Sequence, residues 1–450
     1  MGDKPFKPSS APHLNLPPGF LWGTSTSSYQ IEGAANEDGR LPSIWDTHCK
    51  LTGNVSHGDT GEVACDHYHR YPEDIKLMTE LGLKAYRFSL SWSRVLPRGR
   101  GAINPKGLDF YDKLIDGLLE VGIDPWICLF HWDFPQLLQD LGGWSNRDSV
   151  GWFADYALVA ARRYGDRVKH WATFNEQNMS TLFGYVWGTS PPGASDRAGY
   201  FRVAHHENLA HGAAIDVLRG TVSNASLGIV HNRQAIFPEH DDPAHRAVVA
   251  LMDTHWNTLF PDPQILGHYP ESVVHDVEPF VQSGDLSRIC RPLDWFGLNH
   301  YGPTFAKVDP TSTLGFQMGA FPEGMAHTEI NWPVCPETFK QELLKLTRRY
   351  HLPIYITENG CGSNQEVPDK TGFVQDDHRI NYLTLHTGKM AEAIREGSDI
   401  RGYFVWSLLD NFEWNSGYDD RFGIVRVDFD TLKRTPKASA KWYANLISKN

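Results

Sequence analysis

No apolar run in this chain approaches the roughly 20 residues that a membrane-crossing helix needs. Residues 1–15 are polar and proline-rich without an apolar centre, so no secretory leader is expected. Gly2 opens no myristoylation motif, because Phe6 stands where the motif wants Ser or Thr. The six cysteines form no C-x-x-C pair, which argues against a zinc ribbon or a thioredoxin-like site. Basic charge is in deficit: a net −12 leaves no excess to displace counterions from a polyanion, so no nucleic-acid partner is expected. No G-x-S-x-G elbow is present. His67 and His69, and His205 and His206, are local pairs without carboxylates at ligand spacing. His206 to His211 misses H-E-x-x-H by one residue, which puts the second imidazole off the first one's helical face. The expectation is a cytoplasmic protein, monomer or homo-oligomer, with no metal, no cofactor and no membrane partner.

What remains is a globular composition, 41% hydrophobic and 21% charged. Its 15 Trp suit either sugar platforms or a large core. Apolar, strand-like runs recur at 20–26, 85–92, 125–130, 170–174, 227–230, 295–298, 354–357 and 403–408. Between them lie helical spacings, predicted from Tyr71-Pro72 to Leu81, over 107–121, from an Asp148 cap to Tyr164, and over 201–218, 243–258, 337–350, 376–395 and 436–447. Eight buried strands alternating with helices predict a single-domain (β/α)8 TIM barrel over residues 17–450, behind an N-terminal tail at 1–16. Alternation alone also allows a doubly wound open sheet, but no Gly-rich dinucleotide turn follows the first strand. Polar loops after strands one, six, seven and eight would wall a pocket at the carboxyl end.

One stretch organises the chemistry. Ile354 to Thr357 has the composition of a strand buried on both faces, and Glu358-Asn359-Gly360 follows at once. An acid at such a tip is costly to desolvate, and in a β/α barrel that tip is where chemistry sits. The other strand ends carry Gln30, Arg87, His131, Asn175-Glu176, Asn299 with Tyr301, and Trp406. Two carboxylates, several hydrogen-bonding groups and an aromatic plate suit a polyhydroxylated substrate and acetal chemistry.

Several motifs carry a resemblance: Phe20-Leu21-Trp22-Gly23 with Tyr29-Gln30-Ile31-Glu32-Gly33, Tyr86-Arg87-Phe88-Ser89, His131-Trp132-Asp133, Thr173-Phe174-Asn175-Glu176, Tyr355 to Gly360, and Trp406 to Trp414. In this order, over nearly the whole chain, they resemble glycoside hydrolase family 1, the family of retaining β-glucosidases and their relatives. The resemblance implies Glu358 as nucleophile and Glu176 as general acid, then base. It implies Gln30, His131, Asn175, Glu413 and Trp414 as holders of the glycone hydroxyls, and Trp406 as the plate beneath the ring. Arg87, Asn299 and Tyr301 would keep the nucleophile charged and aimed, and Trp332 resembles the tryptophan of the leaving-group site. A retaining course asks for two carboxyls about 5–5.5 Å apart, one ionised and one protonated. Arg87 and Tyr301 favour an ionised Glu358, whose charge should raise the proton affinity of Glu176. Glu32 is left to structure, in an ion-pair network beside the pocket.

Gln177 departs from the family's usual proline, which puts the loop after Glu176 in question, and Ser25 replaces a usual alanine. A carboxylate at Glu413, with no lysine in the stretch 415–421, disfavours a 6-phosphorylated sugar. The expected activity is exo-acting hydrolysis of terminal β-D-glucosyl residues from a small β-glucoside or short oligosaccharide, with β-galactoside or β-fucoside tolerance. Transglycosylation, a 6-phospho-β-glucosidase and a non-catalytic glycan-binding barrel are the alternatives.

Overall fold

The computed structural model describes residues 11–450; residues 1–10, which hold Gly2, Phe6 and most of the expected tail, lie outside the described residues. Eight strands close a parallel barrel: β1 Leu21–Ser25, β2 Ala85–Ser89, β3 Asp124–Phe130, β4 His170–Asn175, β5 Ser226–Asn232, β6 Trp295–Asn299, β7 Ile354–Asn359 and β8 Ile400–Trp406. Each pairs with the next, and β1 closes the ring on β8 through Leu21–Gly402 to Ser25–Trp406. The principal helices are His67–Glu80, Pro105–Glu120, Ser149–Tyr164, Arg197–Thr221, Pro243–Asp253, Pro336–Tyr350, Asp377–Arg395 and Ala438–Lys449, one after each strand. No helix among the described residues is long and apolar enough to cross a membrane.

The barrel interior is packed, not hollow. Ala85, Trp126, Cys128, Ala172, Val230, Trp295 and Phe404 form one buried cluster, with Leu21 and Tyr355 against it. The Trp126 ring lies 5.2 Å from those of Trp295 and Phe404 and 4.7 Å from that of Tyr355. Each large apolar side chain so buried contributes about 1.5–3 kcal/mol. Trp22, Trp45, Trp92, Trp126, Trp171, Trp256 and Trp295 are all fully buried, so the core absorbs much of the tryptophan content. Small residues make room for these rings: a Cβ on Gly228 would fall 2.3 Å from the Trp295 indole.

Above this plug, the two strands that carry the expected acids break their alternation. On β4, Ala172 faces the interior, while Thr173 bonds outward to His211 and Phe174 packs outside against Phe130 and Phe153. The register against β5 shifts between Ala172 and Asn175. On β7, the register shifts between Ile356 and Glu358 against β6, and between Ile356 and Asn359 against β8. Thr357 reaches Asn299, and Glu358 follows it inward rather than turning out. Such irregularities re-aim side chains at barrel rims.

The structure moves several predicted boundaries. The first principal helix starts at His67, so Pro72 lies inside it rather than at its start. Trp92 leaves the second strand and begins a short helix, Trp92–Val95. The fifth helix ends at Asp253 and passes into a wider π turn, Thr254–Thr258. Pro436 ends a strand paired with Val425, and the last helix begins at Ala438. Asp148 stands at its cap position but its side chain makes no capping bond. Of the expected tail, Ala11 and Leu14 are buried, and the Leu14 amide donates to Asn450 Oδ1 at 2.6 Å.

Glu32 does belong to a buried ion pair. Arg94 Nε donates to its Oε2 at 2.9 Å, the Tyr111 hydroxyl donates to Oε1 at 2.5 Å, and the guanidinium lies over the Tyr68 ring. Truncating Arg94 to Ala strands that carboxylate in the interior, a loss of about 3–5 kcal/mol. The expected outcome is a matching fall in the urea unfolding midpoint; an unchanged midpoint would refute the assignment of Glu32 to stability.

Candidate active site

A cavity of about 770 Å³ opens at the carboxyl end of the barrel. Its floor carries Glu176, Glu358, His131 and Trp406, and its rim carries Tyr301, Trp332, Glu413 and Trp414. Gln30, Arg87, Asn175 and Asn299, also predicted site residues, are buried behind this wall. The loops contributing to the wall follow β3, β4, β5, β6 and β8, as in Trp132, Phe183, Trp256, Phe321 and Phe422. The expectation of walls from the loops after strands one and seven is therefore corrected. The first packs behind the wall, where Glu32 pairs with Arg94 and Trp45 lies against Trp414. The second is held outside, where Glu366 pairs with the buried Arg379 and Lys437.

Glu358 is held by two donors. Arg87 Nη1 donates to Oε1 at 2.8 Å and the Tyr301 hydroxyl donates to Oε2 at 2.7 Å. The same guanidinium turns Nη2 to Asn175 Oδ1 at 2.6 Å. Asn299 donates to that oxygen at 3.0 Å and to Glu176 Oε1 at 2.7 Å, and its own carbonyl accepts from Thr357 Oγ1 at 2.7 Å. One hydrogen-bonded network thus runs from Glu358 through Arg87 and Asn175 to Asn299 and Glu176. Glu176 itself has left-handed backbone (φ 48°), uncommon for a side-chain-bearing residue and frequent where function over-determines conformation.

Asn232 was not anticipated. It ends β5 and donates to Glu176 Oε1 at 3.2 Å, while Trp256 Nε1 donates to its carbonyl at 3.0 Å. Reading the fifth strand two residues further would have placed it at a tip like the others.

Burial pushes both acids up, but unequally. Glu176 rises to about 8, first from desolvation and then from the charge of Glu358, against hydrogen bonds from Asn299 and Asn232. Glu358 is also raised by desolvation, with Arg87 and Tyr301 pulling it back. A cation holds Glu358 and a neighbouring anion opposes the ionisation of Glu176, so the first proton to leave the pair leaves Glu358.

His131 is driven well below its ordinary value by burial and by Arg87, and is neutral. Asn175 Nδ2 lies 3.1 Å from its Nε2. Its ring lies nearly parallel to those of Trp406 and Trp414, 5.9 and 6.0 Å away. Desolvation, followed by the charges of Asp420, Glu358 and Glu176, pushes Glu413 upward from the ordinary carboxylate range. Gln30 serves it from behind, donating to Oε2 at 3.3 Å and to the Phe412 carbonyl at 3.0 Å. Trp332, 41% exposed, meets Tyr301 edge-on at 5.4 Å at the mouth. Gln177 is fully buried, and its carbonyl accepts from Gln264 at 2.6 Å.

Residues 13–450 match the family model for glycosyl hydrolase family 1. The chain belongs to this family. Like its other members it is an enzyme that hydrolyses glycosidic bonds. It is 44% identical over 440 residues to β-glucosidase A of Thermotoga maritima, covering 97% of this chain and 98% of that one. It is 38% identical over 468 residues to an aryl-phospho-β-D-glucosidase of Bacillus subtilis, covering 97% and 98%. The solved β-glucosidase of Thermotoga maritima with glucoimidazole superposes with a TM-score of 0.91 at 43% identity, covering 97% of this chain and 99% of that one. The family membership and this fold agree with the resemblance read from the motifs.

Replacing Tyr301 by Phe removes a donor that stabilises the ionised form of Glu358. Infrared titration of the carboxyl band should show Glu358 ionising at higher pH in Tyr301→Phe than in the parent. A band that moves down or stays would contradict the geometry.

Proposed function

We propose that this glycoside hydrolase is an exo-acting, retaining β-glucosidase. The observation that carries the reading is the unequal environment of two buried carboxyls facing one cavity: Glu358 is paired with a cation, while Glu176 keeps its proton to about pH 8. In the first step the Glu358 carboxylate attacks the anomeric carbon as Glu176 protonates the departing oxygen, so a covalent glycosyl ester forms and the aglycone leaves. Esterification abolishes the charge of Glu358, which removes one cause of the high proton affinity of Glu176. Glu176 then takes a proton from water, which attacks the same carbon and releases glucose with retained configuration. Arg87, Asn299 and Tyr301 hold Glu358 in place. Glu413, His131, Trp406 and Trp414 present hydroxyl partners and ring faces to the glycone, with Gln30 and Asn175 fixing the orientation of Glu413 and His131. Trp332 faces the aglycone.

A second reading is a 6-phospho-β-glucosidase, since a relative of that kind is similar over nearly the whole length. No lysine or arginine lines the cavity among the described residues. The nearest cation of the β8 loop, Arg421, is already committed to Asp410 and the Val427 carbonyl. A phosphate dianion would therefore meet no free cation in this cavity. The unmodified glucoside is the better fit.

Nitrophenyl β-glucoside should be hydrolysed far faster than its 6-phosphorylated analogue, and a reversed preference would move the assignment to the phospho branch. Incubation with a 2-deoxy-2-fluoro glucoside should leave a glycosyl label on Glu358 by peptide mass analysis; a label elsewhere would overturn the mechanism. Glu176→Gln should slow alkyl glucosides by about 10²–10⁴-fold. Glycosylation by a dinitrophenyl glucoside, whose leaving group needs little protonation, should be much less affected. In the parent enzyme kcat/KM should fall above about pH 8 as Glu176 ionises, and Glu176→Gln should lose that limb.

A further inference from the structure

Away from the catalytic pair, Glu239, His240 and His245 converge beside the outer wall of the cavity, with ligand-type atoms all within 4.8 Å of one another. Glu239 Oε2 lies 3.6 Å from His240 Nε2 and 3.8 Å from His245 Nε2. A tetrahedral ion with bonds of about 2.0–2.1 Å holds its ligand atoms roughly 3.4 Å apart, so these separations are close to a coordination shell. The remaining adjustment falls to His240, whose side chain is 67% exposed and can swing, while Glu239 and His245 are largely covered.

A fourth residue orders the set. Asp242 caps the helix Pro243–Asp253, accepting the His245 backbone N–H at 2.9 Å through Oδ1. Its Oδ2 lies 2.8 Å from His245 Nδ1. A carboxylate only accepts, so Nδ1 carries a hydrogen, and Nε2 is the nitrogen left facing Glu239 as the ligand atom. A carboxylate behind an imidazole fixes tautomer and ring orientation in the same way behind metal-bound histidines. Glu239 is anchored as well: its backbone N–H donates to the Ala306 carbonyl at 2.9 Å, and its Oε1 accepts the Ala320 N–H at 2.8 Å.

We propose that Glu239, His240 and His245 bind a divalent transition-metal ion of the zinc class, with water completing the shell. Two imidazoles and one carboxylate favour zinc over the oxygen-seeking magnesium and calcium. The ion would sit on Oε2 while Oε1 keeps Ala320, which lines the cavity with Gly319 and Phe321. Metal binding therefore pins a wall segment without touching the reacting bond.

Calorimetric titration of ZnCl2 into the metal-stripped full chain tests the site, with MgCl2 as the control. About one equivalent of zinc should bind, and His240→Ala and His245→Ala should each abolish that isotherm while keeping the parent's circular dichroism spectrum. Asp242→Asn keeps a good helix cap but cannot hold the tautomer in the same way, and should weaken zinc by about tenfold or more. Zinc should raise the melting temperature of the parent and not of the histidine variants. A parent that takes up no zinc has only a surface ion pair here, and that result overturns the proposal. So does zinc uptake that persists in both histidine variants.

Discussion

A buried guanidinium sets the terms of this structure. Arg87 is sealed from water and touches two oxygens, one on Glu358 and one on Asn175, the residue that precedes Glu176. Desolvating a cation this deeply is costly unless it is fully paired, and breaking such a pair costs more than forming it gains. The barrel must therefore bring β2, β4 and β7 to fixed relative heights, or the charge is left uncompensated. The same contact keeps Glu358 the more acidic of the two buried carboxyls, and so divides the labour between them.

Backbone irregularity, more than side-chain choice, aims Glu358 at that cation and Glu176 into the hydrogen-bonded network it anchors. Strict alternation on β4 and β7 would send one acid-bearing segment away from the axis, and a register shift before each turns it back. The plug of Trp126, Trp295 and Phe404 beneath makes this stable, because it fixes strand spacing independently of what stands at the tips. Loops after β3, β4, β5, β6 and β8 then supply the walls, and the β6 loop also brings Tyr301 to Glu358.

Much of this was legible in the chain. Eight apolar runs alternating with helical spacings gave the barrel, and the polar and charged residues at or near their ends put Arg87, Asn175-Glu176, Asn299 and Glu358 at one end, because period and strand-tip chemistry are local signals. Asn232 escaped because the fifth run was ended where its apolar composition ended, at Val230, while the strand continues. The upward shift of Glu413 was not legible because it arises from desolvation together with Asp420 and two acids far along the chain, which no local pattern encodes. The loops after β1 and β7 looked like walls by their polarity. Their acids, Glu32 and Glu366, are instead paired with the buried cations Arg94, Arg379 and Lys437.

The filled barrel has a further kinetic meaning. With Trp126, Trp295, Tyr355 and Phe404 closing the axis below the acids, the cavity is a dead end, and whatever enters must depart through the same opening. In the proposed reaction the sugar lies deepest and its aglycone nearest the mouth, so the alcohol must clear the passage before water reaches the ester and before glucose can escape. Release is thereby ordered by architecture, and free glucose returning through that single entrance competes directly with the next substrate.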